Sequence, residues 1–329
     1  MLRNWFKYEI FRSKKSVSEL IELPEYIPLI NPSALSFLQK KSSSLGKRIA
    51  IEARKEGQLV GLVLITLFSA FSRQKAFYHS FAVKENPPLH FFDRKECAFS
   101  LFIETEELLI KEENATSFTL SYIREDPFSE ILDEILRALR WPPSKITALR
   151  LFFDADAFAP PWLHASFSLP DTMTFFPWKE LLSEEREKIA HFVQQGRCLA
   201  IVNPLSNEEE IDDQTSMGLR YKGSVVGWSV TARLNASTLC YSKLYVDQIA
   251  PVKNFGIALL LESIRRQKEL SIPRAFFELN IAYLDQTWRQ FVKKRLLPLS
   301  DKLEHEKRVE KTIDFLHNSI CLRNNRPLA

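Results

Sequence analysis

The feature that most constrains this chain is a pattern that occurs twice. Residues 49–68, IAIEARKEGQLVGLVLITLF, and 215–234, TSMGLRYKGSVVGWSVTARL, each place two apolar, β-rich runs around a polar turn ending in glycine. That is the signature of a hairpin, with Gly57 and Gly223 at the turns. Both copies contain Gly-x-apolar-Val-Gly, at Gly57–Gly61 and Gly223–Gly227. A further strand-like run follows each, KAFYHSFAV and TLCYSKLYV. Then come apolar residues spaced three and four apart, CAFSLFIETEELLIKEE from Cys97 and IALLLESIRRQKEL from Ile257, which predict helices packing one face. Short strands, SFTLSYI from Ser117 and AFFELN from Ala275, and amphipathic segments from Phe128 and Tyr283 complete each copy. Hairpin, strand, helix, strand, helix recurs, and a repeat of this kind sets the reading of the whole chain.

A chain of 329 residues has the length of two domains. The boundary is expected near residue 168, in the proline-containing stretch AFAPPWLHASFSLPD from Ala157 to Asp171, which has no helical period. The domains are therefore read as 1–168 and 169–329. Strands alternating with helices predict the α/β class, each domain a mixed sheet covered by helices with an antiparallel hairpin on one side. The second half adds a helix between Trp178 and Gly196, whereas the first has only a short candidate around Ser33–Lys41.

Several function classes lose their footing. A net charge of +4, from 45 basic and 41 acidic residues spread along the chain, argues against a nucleic-acid partner. Cys97, Cys198, Cys240 and Cys321 form no CxxC pair, so a reducing cytoplasm is expected and no zinc knuckle. The six histidines show no metal-binding spacing, and no metal is expected. The apolar run Leu59–Phe71 is shorter than the roughly 18 residues that cross a bilayer, so no membrane partner is expected.

One stretch carries chemistry. In LYVDQIAPVKNFGIALLLESIRRQ, Leu244–Gln267, a strand ends, a loop turns and a helix opens at Gly256. A helix start exposes unpaired N–H groups and partial positive charge, and Gly256 and Ala258 leave a phosphate room to approach. Lys253 adds a cation. Here the chain resembles the GNAT superfamily of acyl-coenzyme A dependent N-acyltransferases. That family's phosphate loop runs Arg or Gln, two free positions, Gly, one free position, Gly or Ala, and Lys253-Asn254-Phe255-Gly256-Ile257-Ala258 follows it with one conservative departure.

The resemblance spans about Ser216–Arg295 and implies two tandem GNAT-like acyltransferase domains. It implies acetyl-coenzyme A, or another acyl-coenzyme A, as cosubstrate, with its pantetheine beside the strand ending at Val246. It implies acylation of an amine, small or peptidyl, with Tyr283, Asn280 and Glu278 as the candidate catalytic residues. Thr287 and Trp288 stand where the family commonly has its tyrosine acid, and Asp247 is a second candidate base. The acidic run Glu208–Asp213 precedes the hairpin, where charge would draw a cationic amine. The alternative is a noncatalytic acyl-coenzyme A binding or protein-interaction module. The first half has no glycine between Gly61 and Gly196, and Pro87 and Pro88 occupy its corresponding loop. Proline removes N–H donors, so this half is read as degenerate, without the coenzyme site.

Overall fold

The structure, a computed structural model, describes residues 8–30, 46–70, 73–84, 91–164, 169–248 and 255–313. The chain forms two compact units, one of residues 1–146 and 306–329, the other of residues 147–305. The division falls after Ile146, not near residue 168.

In the first unit β1 (Glu9–Arg12) and α1 (Val17–Leu20) lead into β2 (Lys47–Lys55), β3 (Gln58–Ala70), β4 (Arg73–Val83), α2 (Phe91–Glu113), β5 (Ala115–Ile123) and α3 (Ser129–Ala138). The second holds β6 (Lys145–Asp154), β7 (Met173–Pro177), α4 (Ser183–Gln194), β8 (Met217–Tyr221), β9 (Ser224–Asn235), β10 (Thr238–Val246), α5 (Gly256–Glu269), β11 (Arg274–Asn280) and α6 (Gln286–Phe291). The last strand, β12 (Lys302–Thr312), returns to the first unit and pairs antiparallel with β5.

The strand order is β1-β2-β3-β4-β5-β12 in one unit and β7-β8-β9-β10-β11-β6 in the other. Each sheet is antiparallel except at one place, β4 beside β5 and β10 beside β11. The repeat read from the sequence is therefore a repeat of topology. Its sixth strand is exchanged: β6 follows the first unit's elements but completes the second sheet, and β12 does the reverse.

Local chemistry explains the hairpins. Glu56 and Gly57 have φ of 52° and 77°, and Lys222 and Gly223 have 49° and 74°. Two consecutive left-handed residues make the tight turn whose twist matches paired strands, and glycine takes the second position without strain. The apolar run in β3 reflects burial on both faces. Ile49, Ile51, Val63 and Ile65 pack with Leu101 and Phe102 of α2, while Ala50, Leu62 and Leu64 pack with Leu20, Tyr26 and Leu29 on the opposite face. Side chains alternate along a strand, so a strand covered on both sides reads as continuously apolar.

In the second unit α5 covers one face with Leu260 and Ile264 against Leu239, Tyr241 and Phe277. The α4 face holds Ile189, Trp178 and Trp228, and the Trp228 indole N–H donates to the Val202 carbonyl at 2.8 Å. Trp178–Glu180 forms a separate 3-10 turn, so the helix expected from Trp178 starts at Ser183. α2 starts six residues before Cys97, at Phe91. The first-half helix expected around Ser33–Lys41 lies outside the described residues.

Candidate functional site

In the second unit the parallel ladder between β10 and β11 runs from Thr238 and Arg274 to Tyr241 and Phe277 and goes no further. Both strands continue, β10 to Val246 and β11 to Asn280, each still paired on its outer edge, to Gly227 and to Ala148. A register shift between Tyr241 and Lys243 leaves Ser242 without an opposite number on β9, a bulge that bends the strand away from its parallel neighbour.

Alternation along a strand assigns the groups that face the gap. Asp247 N–H donates to the Val226 carbonyl at 2.8 Å, so Asp247 turns its backbone toward β9 and Val246 and Leu244 turn theirs toward β11. Ala155 N–H donates to the Pro273 carbonyl at 2.8 Å, so Pro273 faces β6 while Glu278 and Asn280 face β10. Two strand edges thus oppose each other with no ladder bond between them, the Val246 carbonyl accepting instead from Gln248 Nε2 at 3.2 Å. Backbone groups in such a position call for partners, and an extended chain of amides supplies them.

α5 opens beside this gap. Its N-cap, Phe255, makes no side-chain cap, and no acidic residue stands in its first turn. Among the described residues, a Cβ added at Gly256 would meet Val246 Cγ2 at 3.7 Å and nothing else within 4 Å beyond its immediate chain neighbours and its own helix backbone. The helix start therefore lies against the end of β10, and among the described residues only Val246 stands beside Gly256. Phe255 packs beside Val246 and Leu259, Ile257 is half-buried and Ala258 is buried. Lys253 and Asn254 lie outside the described residues.

The expected catalytic side chains meet mixed fates. Glu278 accepts from Arg150 Nε at 3.0 Å, across the ladder from β6, so its carboxylate is ion-paired. Asn280 accepts from the Ala282 N–H at 3.0 Å and caps the turn Ile281–Tyr283. Tyr283 ends that turn with 53% of its surface exposed. Thr287 and Trp288 lie in α6, where Asp285 caps the Trp288 N–H at 2.8 Å. Tyr241 is a core residue whose hydroxyl donates to Gln267 Oε1 at 2.8 Å. Tyr245 stacks on Trp228 at 4.5 Å, with burial pushing its hydroxyl up to about 12. Asp247 is buried and paired with Arg197.

The acidic run is not the open charged loop expected from the sequence. Glu208 pairs with Arg186, and Asp212 accepts from Arg233 Nε at 2.6 Å and from the Thr215 N–H and Oγ1 at 3.0 and 2.8 Å. Glu209 and Asp213 are the exposed members. Lys243, which the sequence reading passed over, lies between the bulge and the end of β10. Its half-buried ammonium donates to the Asn203 carbonyl at 2.9 Å and to Ser206 Oγ at 3.1 Å. Burial lowers its pKa, against the pull of Glu210 and Glu209. The available signal was a lysine inside the apolar run TLCYSKLYV.

The first unit repeats the backbone arrangement. The β4–β5 ladder ends at Tyr78 and Leu120, and His79 is the bulged residue. Lys84 N–H donates to the Val60 carbonyl at 2.9 Å and Ile313 N–H to the Thr116 carbonyl at 2.8 Å, which by the same alternation turns Phe81, Val83, Ser121 and Ile123 toward the gap. The helix differs, because α2 carries Asp93 in its first turn. Pro87 and Pro88 lie outside the described residues.

No protein-family model matches the chain, and no curated protein does. Solved structures match over nearly all of it. A tandem GNAT protein from the clavulanic acid biosynthesis pathway aligns with a TM-score of 0.68 and 12% identity over 93% of this chain and 98% of its own. The chain has a tandem GNAT fold. A GCN5-related N-acetyltransferase from Sphaerobacter thermophilus aligns at TM-score 0.57 and 11% identity, over 94% of this chain and 98% of its own. One from Kribbella flavida gives 0.51 and 12%, over 87% and 96%. The parting of the two parallel strands occurs in both units of this GNAT fold, and in the second an uncapped helix start lies beside it. Among the described residues no helix is long and apolar enough to cross a membrane, and no cluster of His, Cys, Asp and Glu could hold a metal ion.

Proposed function

We propose that the second unit binds acetyl-coenzyme A, or another acyl-coenzyme A, and transfers the acyl group to an amine. The observation that carries this reading is the pair of unladdered edges, Leu244 and Val246 against Glu278 and Asn280, opening beside the uncapped start of α5. Edges of this kind suit the amides of pantetheine, and the helix start suits a pyrophosphate. Bound coenzyme would supply an activated thioester carbonyl. Gly256 and Ala258 keep side chains from the N–H groups of the first turn, and Lys253 adds positive charge in the loop. Tyr283, on the turn directly after Asn280, is the residue we assign to proton delivery to the departing thiolate. Glu278 is already paired with Arg150, so its contribution is its backbone and the local field. The buried, unpaired thiols of Cys97, Cys198 and Cys240 suit a reducing cytoplasm.

The first unit is the degenerate partner in this reading. Asp93 places a carboxylate in the first turn of α2, where it opposes a phosphate, and the segment lacks the glycine that opens α5. Replacement of the family's usual tyrosine by Thr287 and Trp288 favours the second reading, a module that binds the coenzyme without turnover.

Calorimetry with acetyl-coenzyme A tests both. One site per chain is expected, and ligand at 100 times its dissociation constant adds about 2.7 kcal/mol of stability. Gly256→Glu is expected to abolish the effect. Thiol release with pooled amines that falls at least tenfold in Tyr283→Phe supports the enzyme, and binding without release supports the module. Absence of binding by any acyl-coenzyme A would falsify the coenzyme site itself.

A further inference from the structure

The second unit carries a ridge of positive charge where α6 ends. Of the seven residues from Arg289 to Arg295 four are basic, and no Asp or Glu stands between Asp285 and Asp301. Here the helix widens into a π turn, Val292–Leu296, a rare form that is frequent at functional sites. Val292 and Leu296 are buried in the core that holds Leu260 and Ile264 of α5, and Phe291 packs beside them against Trp162 at 6.0 Å. With those side chains turned inward, Lys293, Lys294 and Arg295 are all exposed, as is Arg289 one turn earlier.

Elsewhere in this unit cations meet carboxylates: Arg150 pairs with Glu278, Arg220 with Glu185, Arg233 with Asp212 and Arg274 with Asp301. Among the described residues Lys293, Lys294 and Arg295 pair with none, and Arg289 donates from Nε to the Leu284 carbonyl at 2.8 Å. The residues outside the described ones carry only two carboxylate side chains, Glu85 and Asp314, too few to neutralise four cations. Like charges four apart on a helical surface repel, and Arg289 and Lys293 hold that spacing.

An anionic partner relieves that repulsion, and the shape of the ridge selects among anions. At a rise of 1.5 Å per residue the four cations span roughly 10 Å, short for the groove that tracks a single-stranded nucleic acid. Trp288 is half-buried, its ring edge-on to Phe291 at 5.4 Å, so it offers no open face on which a base could stack. A lipid surface is held by outward apolar side chains together with cations, whereas Phe291, Val292 and Leu296 face the core. Carboxylates fit. Arg289 and Arg295, at the two ends, present planar forks that take a carboxylate at two points, and Lys293 and Lys294 between them supply rotatable donors.

We propose that the ridge from Arg289 to Arg295 is a docking surface for an acidic peptide segment of a partner protein, one that carries several closely spaced carboxylates. The ridge takes no part in the coenzyme site proposed above.

N-acetyl-decaglutamate amide, fluorescently labelled, is the probe, titrated into the intact protein by anisotropy. Saturable binding at one per chain is expected at low ionic strength, weakening as salt rises. Lys293→Glu, Lys294→Glu and Arg295→Glu together are expected to weaken the peptide at least tenfold. Reversal of three exposed lysines elsewhere, Lys14, Lys145 and Lys179, makes the same change of net charge and is expected to leave binding within twofold. Should the ridge reversal unfold the protein, as read by circular dichroism, glutamines at the same three positions replace it, with at least fivefold weakening expected. Phosphatidylserine vesicles and a decathymidylate of similar charge are expected to bind at least tenfold more weakly than the peptide. Binding of either as tightly as the peptide, equal losses in the ridge and control variants, or failure to saturate at low salt overturns the proposal. So does loss of acetyl-coenzyme A binding in the ridge variant, which would give these cations to the coenzyme. Failure of the wild type to bind acetyl-coenzyme A, with peptide binding intact, touches only the function proposed above.

Discussion

His79 marks what a single residue does to this fold's response to acid. Its folded pKa, about 4, lies below its ordinary value because burial and then Arg48 penalise the cation. Between pH 6.5 and 4 the unfolded chain takes up a proton that the folded chain refuses, so stability rises with pH across that window. The contribution is full above pH 6.5 and is lost as pH falls through 4, on the order of 3 kcal/mol in all. Urea midpoints measured from pH 7 to 4 are expected to fall steeply for the wild type and less steeply for His79→Gln; equal slopes would assign the dependence to other groups. Gly218 shows a steric counterpart. A Cβ there would fall on the ring of Phe176, which is buried and has Arg220 stacked over it at 3.7 Å. Gly218→Ala is expected to cost about 1–3 kcal/mol in equilibrium unfolding, since the ring has no room to yield. Of the residues that matter at this scale, Gly57, Gly223 and Gly256 were legible because turn and helix-start chemistry is local. Lys243 and Asp212 were not, because what distinguishes them is burial against carbonyls and an arginine distant in the chain.

At the level of elements, the segment from Asn203 to Ser216 is tied to the sheet through Asp212 and Lys243. Burial raises the Asp212 pKa, but hydrogen bonds from Arg233 and Thr215 outweigh it and hold the carboxyl below its ordinary value. Its stabilising effect is therefore present above the ordinary carboxylate range and lost as pH falls through the lowered value. Asp212→Asn is expected to destabilise the protein by about 1–3 kcal/mol, because it leaves Arg233 half-buried without its charge partner. Amides at Glu209 and Asp213, both exposed, are expected to leave the melting temperature unchanged; a drop equal to that of Asp212→Asn would show the whole run to be structural. Elements with a clear period or turn signal were legible: the two hairpins, α2, α5 and the strands after them. β12 was not. Its sequence, KLEHEKRVEKT, has only Val309 buried, and its place is set by the ladder to β5 and by Lys307 on Asp133 at 2.7 Å and Lys311 on Glu106 at 3.1 Å. No apolar pattern announces a strand whose hold is main chain and charge.

For the whole molecule the decisive fact is the exchange of sixth strands. The expected boundary near residue 168 rested on a proline-containing stretch, which lies inside the second unit. A cut there would strip β6 from β11 and leave β12 without β5. A fragment of residues 147–305 is expected to elute as a folded monomer, and one of residues 169–329 to aggregate through the bared edge of β11, as read by gel filtration and circular dichroism. The opposite result would mean that the sixth strand is dispensable. The exchange also governs the order in which the protein can become complete. Leu120 is paired with Val309, so synthesis must pass Val309 before the first unit can close its sheet. During all of that synthesis β5 presents a raw edge, and contacts so distant along the chain form slowly. A chain that stops before Lys302, or a protease that removes β12, would harm the unit built from residues far earlier in the chain before it harmed the part next to the cut.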